Sequence, residues 1–500
     1  VKRTAAPAGT PRRPASTHPR RQARPAARRR VVVTGVGAVS ALGPDAAALW
    51  SGCLKRRTVV ELVPAQWRRY SELRSHVWSP LGEAARPASG LLGRVESKRL
   101  DPSGQMAIAA AEEALRAAGL PLTAVDEKHR TFRIADWEGE RVGVFMGTGT
   151  AGIHTQLGAA ANVAMGAARR RLGEVVERLA STPAGGTGKS GRGEGAARAR
   201  AALAAELQAI AADLRAPELF NPFSVASGMA NALSANLSIK LGARGPTPTF
   251  AGACAAGTIA VGRAFRAIRD GDCDAALAGG SECMRDPWGA CFRSFDAVGA
   301  LAHGDFAKES INRPFDERRS GFLFSEGGCA VLVLEELGAA LARGAPRLAE
   351  LRGYGEASDA HDLMAVEPSG AQVRRAITAC LADAGLDAKD VGYVNAHGTG
   401  TPGNDGVEAE AIAAVIGRRA LVSSTKSLLG HTIGASGALE AVVTALTLRD
   451  QVVHPTLNLE QPIADLPFPT APTRARVEHA ISQSFAFGGH DAVIALSRVD

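Results

Sequence analysis

Hydrophobic and polar positions along this chain fall into two recurring textures. Val31-Val32-Val33-Thr34-Gly35-Val36-Gly37-Ala38-Val39 and Arg141-Val142-Gly143-Val144-Phe145-Met146-Gly147-Thr148-Gly149-Thr150 are short, nearly continuous apolar runs containing or ending in glycines. Such runs predict strands buried on both faces. Between them, Asp45 to Leu54 and Pro102 to Ala118 predict helices, the second closed by Gly119 just past its last turn. Buried strands alternating with helices predict a layered α/β core with largely parallel pairing.

The texture also repeats. Val391-Gly392-Tyr393-Val394-Asn395-Ala396-His397-Gly398-Thr399-Gly400-Thr401 echoes the run from Val142 to Thr150, and Asp491–Leu496 echoes Cys329–Leu334. Both echoes keep their order in two halves divided near residue 340. This predicts an internal duplication, with a first half over 31–340, a second over 341–500, and the sheets of the two packed across shared helices. Residues about 160–217 interrupt the first half with Ala/Arg/Glu-rich stretches around Pro183-Ala184-Gly185-Gly186-Thr187-Gly188-Lys189-Ser190-Gly191. Two helical pieces around a flexible tip account for them. A phosphate-binding loop is excluded, because its first glycine would fall at Pro183 and no buried strand precedes it.

Length and composition add bounds. A chain of 500 residues, 46% hydrophobic, can bury a large core, and its apolar runs are far shorter than the roughly 20 residues of a membrane-spanning helix. The net charge of +8 first suggests nucleic acid or an acidic membrane surface as a partner. Residues 1–30, however, hold nine Arg and one Lys with no acid, so +10 sits in this tail and −2 remains for residues 31–500. An Ala/Pro/Arg-rich tail without an apolar stripe predicts disorder, and without an apolar core it does not read as an export signal. A cytoplasmic protein without nucleic-acid or membrane partners is expected. The seven scattered cysteines show no paired spacing, which argues for reduced thiols and against a metal site.

Three small-residue islands carry the candidate chemistry. Cys254 lies in Ala251-Gly252-Ala253-Cys254-Ala255-Ala256-Gly257, after Pro248-Thr249-Phe250 and before a helix-compatible run from Ala255 to Arg269. At such a helix start the thiol pKa is expected to fall below its free value, and the small neighbours leave room for an acyl chain and for amides aimed at an oxyanion. His397 leaves an apolar strand into Gly398-Thr399-Gly400-Thr401. Lys426 and His431 stand in Ser424-Thr425-Lys426-Ser427-Leu428-Leu429-Gly430-His431. Each alone could be structural; three at separate strand-to-helix turns converge at the carboxyl ends of strands, where open α/β folds place their ligands.

With Gly35-Val36-Gly37, Arg313-Pro314-Phe315-Asp316, Gly321-Phe322, Glu326-Gly327 and Ser484-Phe485-Ala486-Phe487-Gly488-Gly489, these islands resemble the elongating, Cys-His-His type of β-ketoacyl-acyl-carrier-protein synthase. The resemblance spans 31–500 apart from 160–217. It implies a thiolase fold, with duplicated α/β/α/β/α layers and mostly parallel mixed sheets, and a homodimer or a heterodimer with a related subunit. It implies that Cys254 accepts the acyl group, that the amides of Cys254 and Phe487 form the oxyanion hole, and that His397 and His431 stabilise the enolate from malonyl carrier protein. Lys426 is then paired with Glu408 and orders the site, Phe487 gates the thiol, and Thr399 and Thr401 hold the phosphopantetheine arm. Lys98 and Arg99 correspond to positions that dock the acidic acyl carrier protein. No cofactor beyond that carrier-borne arm is implied.

Departures from the family pattern bear on loop bracing. Gly488-Gly489-His490-Asp491 replaces Gly-Gly-x-Asn, Arg319-Ser320-Gly321-Phe322 replaces Arg-Asp-Gly-Phe, and Ser325 replaces the glycine before Glu326. With the insertion, they point toward a specialised polyketide or polyene pathway. A chain-length-factor-like partner, the alternative within the fold, typically lacks the nucleophile that Cys254 supplies. A biosynthetic thiolase requires a second cysteine near the C-terminus, yet the last is Cys380, and the starter-condensing class places Asn where His431 stands.

Overall fold

The computed structural model describes residues 28–68, 72–83, 89–181, 192–213 and 223–499. Residues 1–27 and 182–191, on which the expectations of a disordered tail and a flexible tip fall, lie outside the described residues. Ten strands form one mixed sheet: β1 (Val31–Val39), β2 (Val142–Thr148), β3 (Thr249–Ala251), β4 (Ala275–Cys283), β5 (Gly327–Glu336), β6 (Ala349–Ser358), β7 (Val391–Asn395), β8 (Leu421–Ser423), β9 (His479–Ala486) and β10 (His490–Ser497). Their order is β8-β7-β9-β10-β6-β1-β5-β4-β2-β3. Read outward from the centre, each half has the order first, fifth, fourth, second, third. The echoed runs at 142 and 391 both become the second strand, and those at 329 and 491 the fifth.

Pairing also repeats. In each half the second strand is parallel to its third and fourth, while the fifth is antiparallel to its fourth and first. The halves meet where Val31–Val33 runs antiparallel to Ala349–Leu351. Among the described residues, five of the nine pairings in this sheet are therefore antiparallel. Apolar continuity reports burial on both faces and not strand direction, so the expected parallel pairing holds only for the outer strands of each half.

Seven helices matter for the site: α1 (Pro102–Ala117), α2 (Ile153–Ser181), α3 (Arg192–Asp213), α4 (Ala256–Asp270), α5 (Ala371–Ala384), α6 (Pro402–Val415) and α7 (Ser436–Asp450). Helices α4 and α7 pack on each other and on strands of both halves, α1 covers the outer face of the first half, and α5 covers that of the second. The result is the five-layer α/β/α/β/α order. Every residue of α7 from Ser436 to Leu448 is buried, as a helix enclosed between the two halves of the sheet requires. Glycine makes the close crossing possible: a Cβ on Gly257 would lie 2.6 Å from the Ala438 amide nitrogen, and one on Gly437 2.0 Å from Thr258 Oγ1. The insertion is a pair of contacting helices, α2 and α3, and α2 begins at Ile153, closer to β2 than the expected start near 160. No described helix is long and apolar enough to cross a membrane.

Candidate active site

The duplication sets up the same local device twice. A three-residue 3-10 turn leads directly into each central helix, Ala253–Ala255 before α4 and Ile433–Ala435 before α7. Each turn opens with a non-glycine residue in the left-handed region, Ala253 at φ +43° and Ile433 at φ +47°. Such backbone is held only where packing on all sides enforces it, and it fixes the direction in which Cys254 and the His431 loop point.

The nucleophile candidate and both imidazoles meet. Cys254 Sγ lies 3.0 Å from His431 Nε2. The rings of His397 and His431 are nearly perpendicular, with centroids 5.6 Å apart. All three side chains are buried. His431 Nδ1 accepts the Ile433 N–H at 3.1 Å and lies 3.0 Å from Ser436 Oγ. A nitrogen that accepts an amide proton carries none itself, so the neutral ring holds its proton on Nε2, facing the thiol. His397 is fixed in the same sense by Lys426, whose Nζ is 3.0 Å from Nδ1 and donates to the His397 carbonyl at 2.7 Å. Two Nε2–H donors therefore face a shared space.

Their protonation state follows from burial. Desolvation pushes the pKa of His397 well below its ordinary value, helped by the charge of Lys426 and by the repulsion that protonating both imidazoles would create; His431 is lowered by burial and by Lys426. Both rings stay neutral around pH 7. A resident metal ion finds the three donor atoms within 4.8 Å of one another, but it would also face the Lys426 ammonium.

The structure corrects two expectations. The Cys254 thiol is not acidified: burial pushes it up to about 12, against smaller downward pulls from Lys426 and from the Phe487 and Cys254 amides. The desolvation of so deeply buried a sulfur outweighs what a helix start can offer. The partner of Lys426 is also not Glu408. Lys426 Nζ is 2.5 Å from Glu440 Oε1 on α7. Glu408, on α6, instead accepts the His397 and Gly398 amides at 2.6 and 2.7 Å and the side chains of Asn404 and Gln483. It braces the His397 loop from behind. The signal for Glu440 was present in the sequence: it is the lone acid in Ser436–Leu448, and a charge in so buried a run requires a partner.

A cavity of about 300 Å³ opens onto the thiol, lined by Cys254, His397 and His431 together with Thr399, Thr401, Phe322, Met364, Phe485 and Phe487. Thr399 and Thr401 hydroxyls stand 2.9 Å apart. Phe487 is half-buried and stacks on Phe295 with centroids 6.4 Å apart, and Phe322 meets the His431 ring edge-on. Lys98 and Arg99 are exposed, outside the cavity lining, with the Arg99 guanidinium 4.7 Å from the Phe223 ring centre. Sequence reasoning missed Glu282, which accepts the Gly149, Thr150 and Gly434 amides and ties the His431 loop to the exit of β2. Ser320 finds a bracing role of its own, donating to the His303 carbonyl and accepting the His303 amide.

Residues 28–188 and 184–340 match the family described as Beta-ketoacyl synthase, N-terminal domain, and residues 348–460 match Beta-ketoacyl synthase, C-terminal domain. The chain belongs to the β-ketoacyl synthase family. It is an acyltransferase of the condensing class. The two N-terminal matches meet at 184–188, between α2 and α3.

Similar curated proteins include the 3-oxoacyl-[acyl-carrier-protein] synthase 2 of Synechocystis sp., 32% identical over 477 residues, covering 94% of this chain and 98% of the relative. The protein of the same name from Staphylococcus aureus strain N315 is 32% identical over 484 residues, covering 94% and 99%. Among solved structures, a β-ketoacyl synthase from Burkholderia phymatum matches at a TM-score of 0.73 and 29% identity, covering 94% of this chain and all of that one. The ketosynthase complex AntDE:AntF, described as a type II PKS acyl-carrier protein with its ketosynthase bound to the hexaketide, matches at 0.71 and 26% identity, covering 95% and 100%. The ishigamide ketosynthase/chain length factor matches at 0.70 and 27%, again over 95% and 100%.

Proposed function

We propose that this β-ketoacyl synthase condenses an acyl group held on Cys254 with malonyl-acyl carrier protein, in polyketide or fatty-acid biosynthesis. The observation that carries the reading is the pair of imidazoles whose Nδ1 atoms are both occupied, leaving two Nε2–H donors toward the thiol. In the first step the Cys254 sulfur attacks the carrier thioester, the developing oxyanion lies against the amides of Cys254 and Phe487, and the thiol proton ends on the departing phosphopantetheine sulfur. In the second, the malonyl thioester oxygen takes hydrogen bonds from His397 and His431, carbon dioxide leaves, and the carbon of the resulting enolate attacks the Cys254 thioester. Sulfur leaves and is reprotonated, and the β-ketoacyl product remains on the carrier, two carbons longer. Neutral donors in a water-poor site stabilise an enolate without protonating its carbon.

Lys426 orients His397 and is held by Glu440, while Glu408 shapes the loop. Thr399 and Thr401 bind the phosphopantetheine arm and Phe487 covers the thiol between steps. The carrier-borne arm then suffices without a separate cofactor. Lys98 and Arg99 meet the acidic carrier protein at a distance from the cavity; replacing both by Glu is expected to raise KM for the carrier and leave kcat nearly unchanged. The outer edge of β3 has no partner strand among the described residues, which suits pairing with a second subunit, identical or related. We assign residues 31–340 and 341–500 to the two ketosynthase halves and the cytoplasm as the place of action.

The test is intact-mass analysis of the protein mixed with acyl carrier protein loaded with chains of increasing length, followed by malonyl carrier protein. A mass increase by one acyl group, discharged on adding malonyl carrier protein, is expected. Acylation persisting in Cys254→Ala would refute the nucleophile, and unimpaired condensation by His431→Ala would refute the enolate role.

A further inference from the structure

Two loops wall the outer side of the cavity: 486–490, carrying Phe487, and 359–367, carrying Met364, Ala365 and Val366. They are joined through their backbones, Gly488 N–H donating to the Leu363 carbonyl at 2.8 Å and Asp359 N–H to the Gly489 carbonyl at 2.9 Å. Gly489, at φ +71°, allows the approach; a Cβ there would lie 2.8 Å from Asp359 Cβ. Directly behind sits Asp491, buried on β10 opposite Ala357 of β6 and Phe485 of β9. With Ala357 opposite Asp491 and the Asp359 N–H bonded to the Gly489 carbonyl, Asp359 stands diagonally across from Asp491 on the same face, which brings the two carboxyl groups within reach of each other.

Two carboxylates cannot bond each other without a proton, because both only accept. Asp359 Oδ2 takes the Glu367 amide at 3.0 Å, whereas Asp359 Oδ1 and Asp491 Oδ2 are buried with no donor. The neighbouring charges are engaged elsewhere. On the loop, Asp362 accepts the Met364 and Ala365 amides and Glu367 takes Ser369, while His361 is exposed. On β6, Glu356 takes Arg263 of α4 and the Tyr354 hydroxyl. On α4, Arg266 donates to the Tyr354 carbonyl and Arg269 pairs with Asp270 and with Asp383 of α5. Elsewhere on α5, Arg374 donates to the Ser369 carbonyl and Arg375 to the Gln372 side chain. His490 is exposed above Gly488. Among the described residues no cation is paired with either carboxylate of the couple.

We propose that Asp359 and Asp491 share one proton, that this proton clasps the two cavity loops together, and that its loss to solvent loosens the gate bearing Phe487. Burial first, and the Asp359 charge second, hold the Asp491 carboxyl up to about 8, so the clasp is closed at neutral pH and opens in mild alkali. These are positioning residues: neither lines the cavity. Asn stands at position 491 in the family pattern, and an amide can donate to Asp359 without any titration. The carboxyl makes closure pH-dependent in this chain. The consequence for turnover rests on the reading of Cys254 as the acylated thiol, whereas the clasp itself does not.

The experiment is hydrogen–deuterium exchange of the full chain at pH 7 and pH 9, corrected for intrinsic base catalysis, over peptides covering 358–367 and 486–491. Condensation rates are measured across the same range. In the wild-type chain, protection of both loops is expected to fall by about tenfold at pH 9, one unit above the transition, and condensation to decline with it. In Asp491→Asn both should be independent of pH, and Asp359→Asn, which supplies the donor from the other side, should behave alike. Wild-type protection that is unchanged between pH 7 and pH 9, or an equal loss in the Asn variants, overturns the proposal. Exchange behaving as expected in a protein that never becomes acylated would count against Cys254 and leave the clasp standing.

Discussion

At the scale of single residues, the site works through proton positions. Lys426 and the Ile433 amide each occupy an Nδ1, and that directs two Nε2–H groups at one place. Removing the ammonium in Lys426→Ala unfixes His397 and strands Glu440 in the interior. Decarboxylation of malonyl carrier protein, read as carbon dioxide release, is expected to fall roughly 10²-fold, and the thiol should need higher pH to react with an alkylating agent. The lowered imidazole pKa values have their own consequence. Both rings stay neutral below the ordinary histidine range, so the condensation rate should hold as pH falls from 7 to 6, and the acid limb of the profile should lie lower. A limb centred near 6.5 would show that neither ring is as desolvated as its burial indicates.

At the scale of elements, the two central helices set the distance between the halves of the site. A methyl at Gly257 meets the Ala438 amide nitrogen at 2.6 Å, backbone that cannot swing aside. Gly257→Ala is expected to cost about 1–3 kcal/mol in chemical denaturation and to slow acylation by moving Cys254 from His431. Gly173 on α2 has open space around its Cβ position. Gly173→Ala should gain roughly 0.5–1 kcal/mol of helix stability at unchanged activity, so the pair separates packing from propensity.

At the scale of the whole molecule, burying so many carboxyl groups between the layers links stability to pH. Burial holds Glu408 up to about 7 and Asp491 up to about 8, while both are fully ionised in the unfolded chain above pH 6.5. Between 6.5 and 8 the folded state therefore binds more protons than the unfolded one, and stability declines as pH rises. Urea midpoints should drop across that window, and less steeply in Asp491→Asn. Asp274 and Asp316, held near 2, act oppositely and only in acid, where stability is lost as pH falls through their depressed values.

The sequence by itself determined the α/β layering, the internal echo and the identities of Cys254, His397, Lys426 and His431, because apolar runs and small-residue loops are local signals. It could not reveal strand direction, since Val31–Val39 is buried whichever way its neighbours run. It misjudged the Cys254 thiol and the partner of Lys426, since both depend on what other segments bring: the burial that desolvates the sulfur, and Glu440 arriving on a helix held between the two halves of the sheet. The meeting of Asp359 with Asp491 was likewise out of reach. Chain chemistry names the groups; only the packed molecule decides which of them share a proton, a charge or a dry space, because burial and pairing are properties of neighbours distant in sequence.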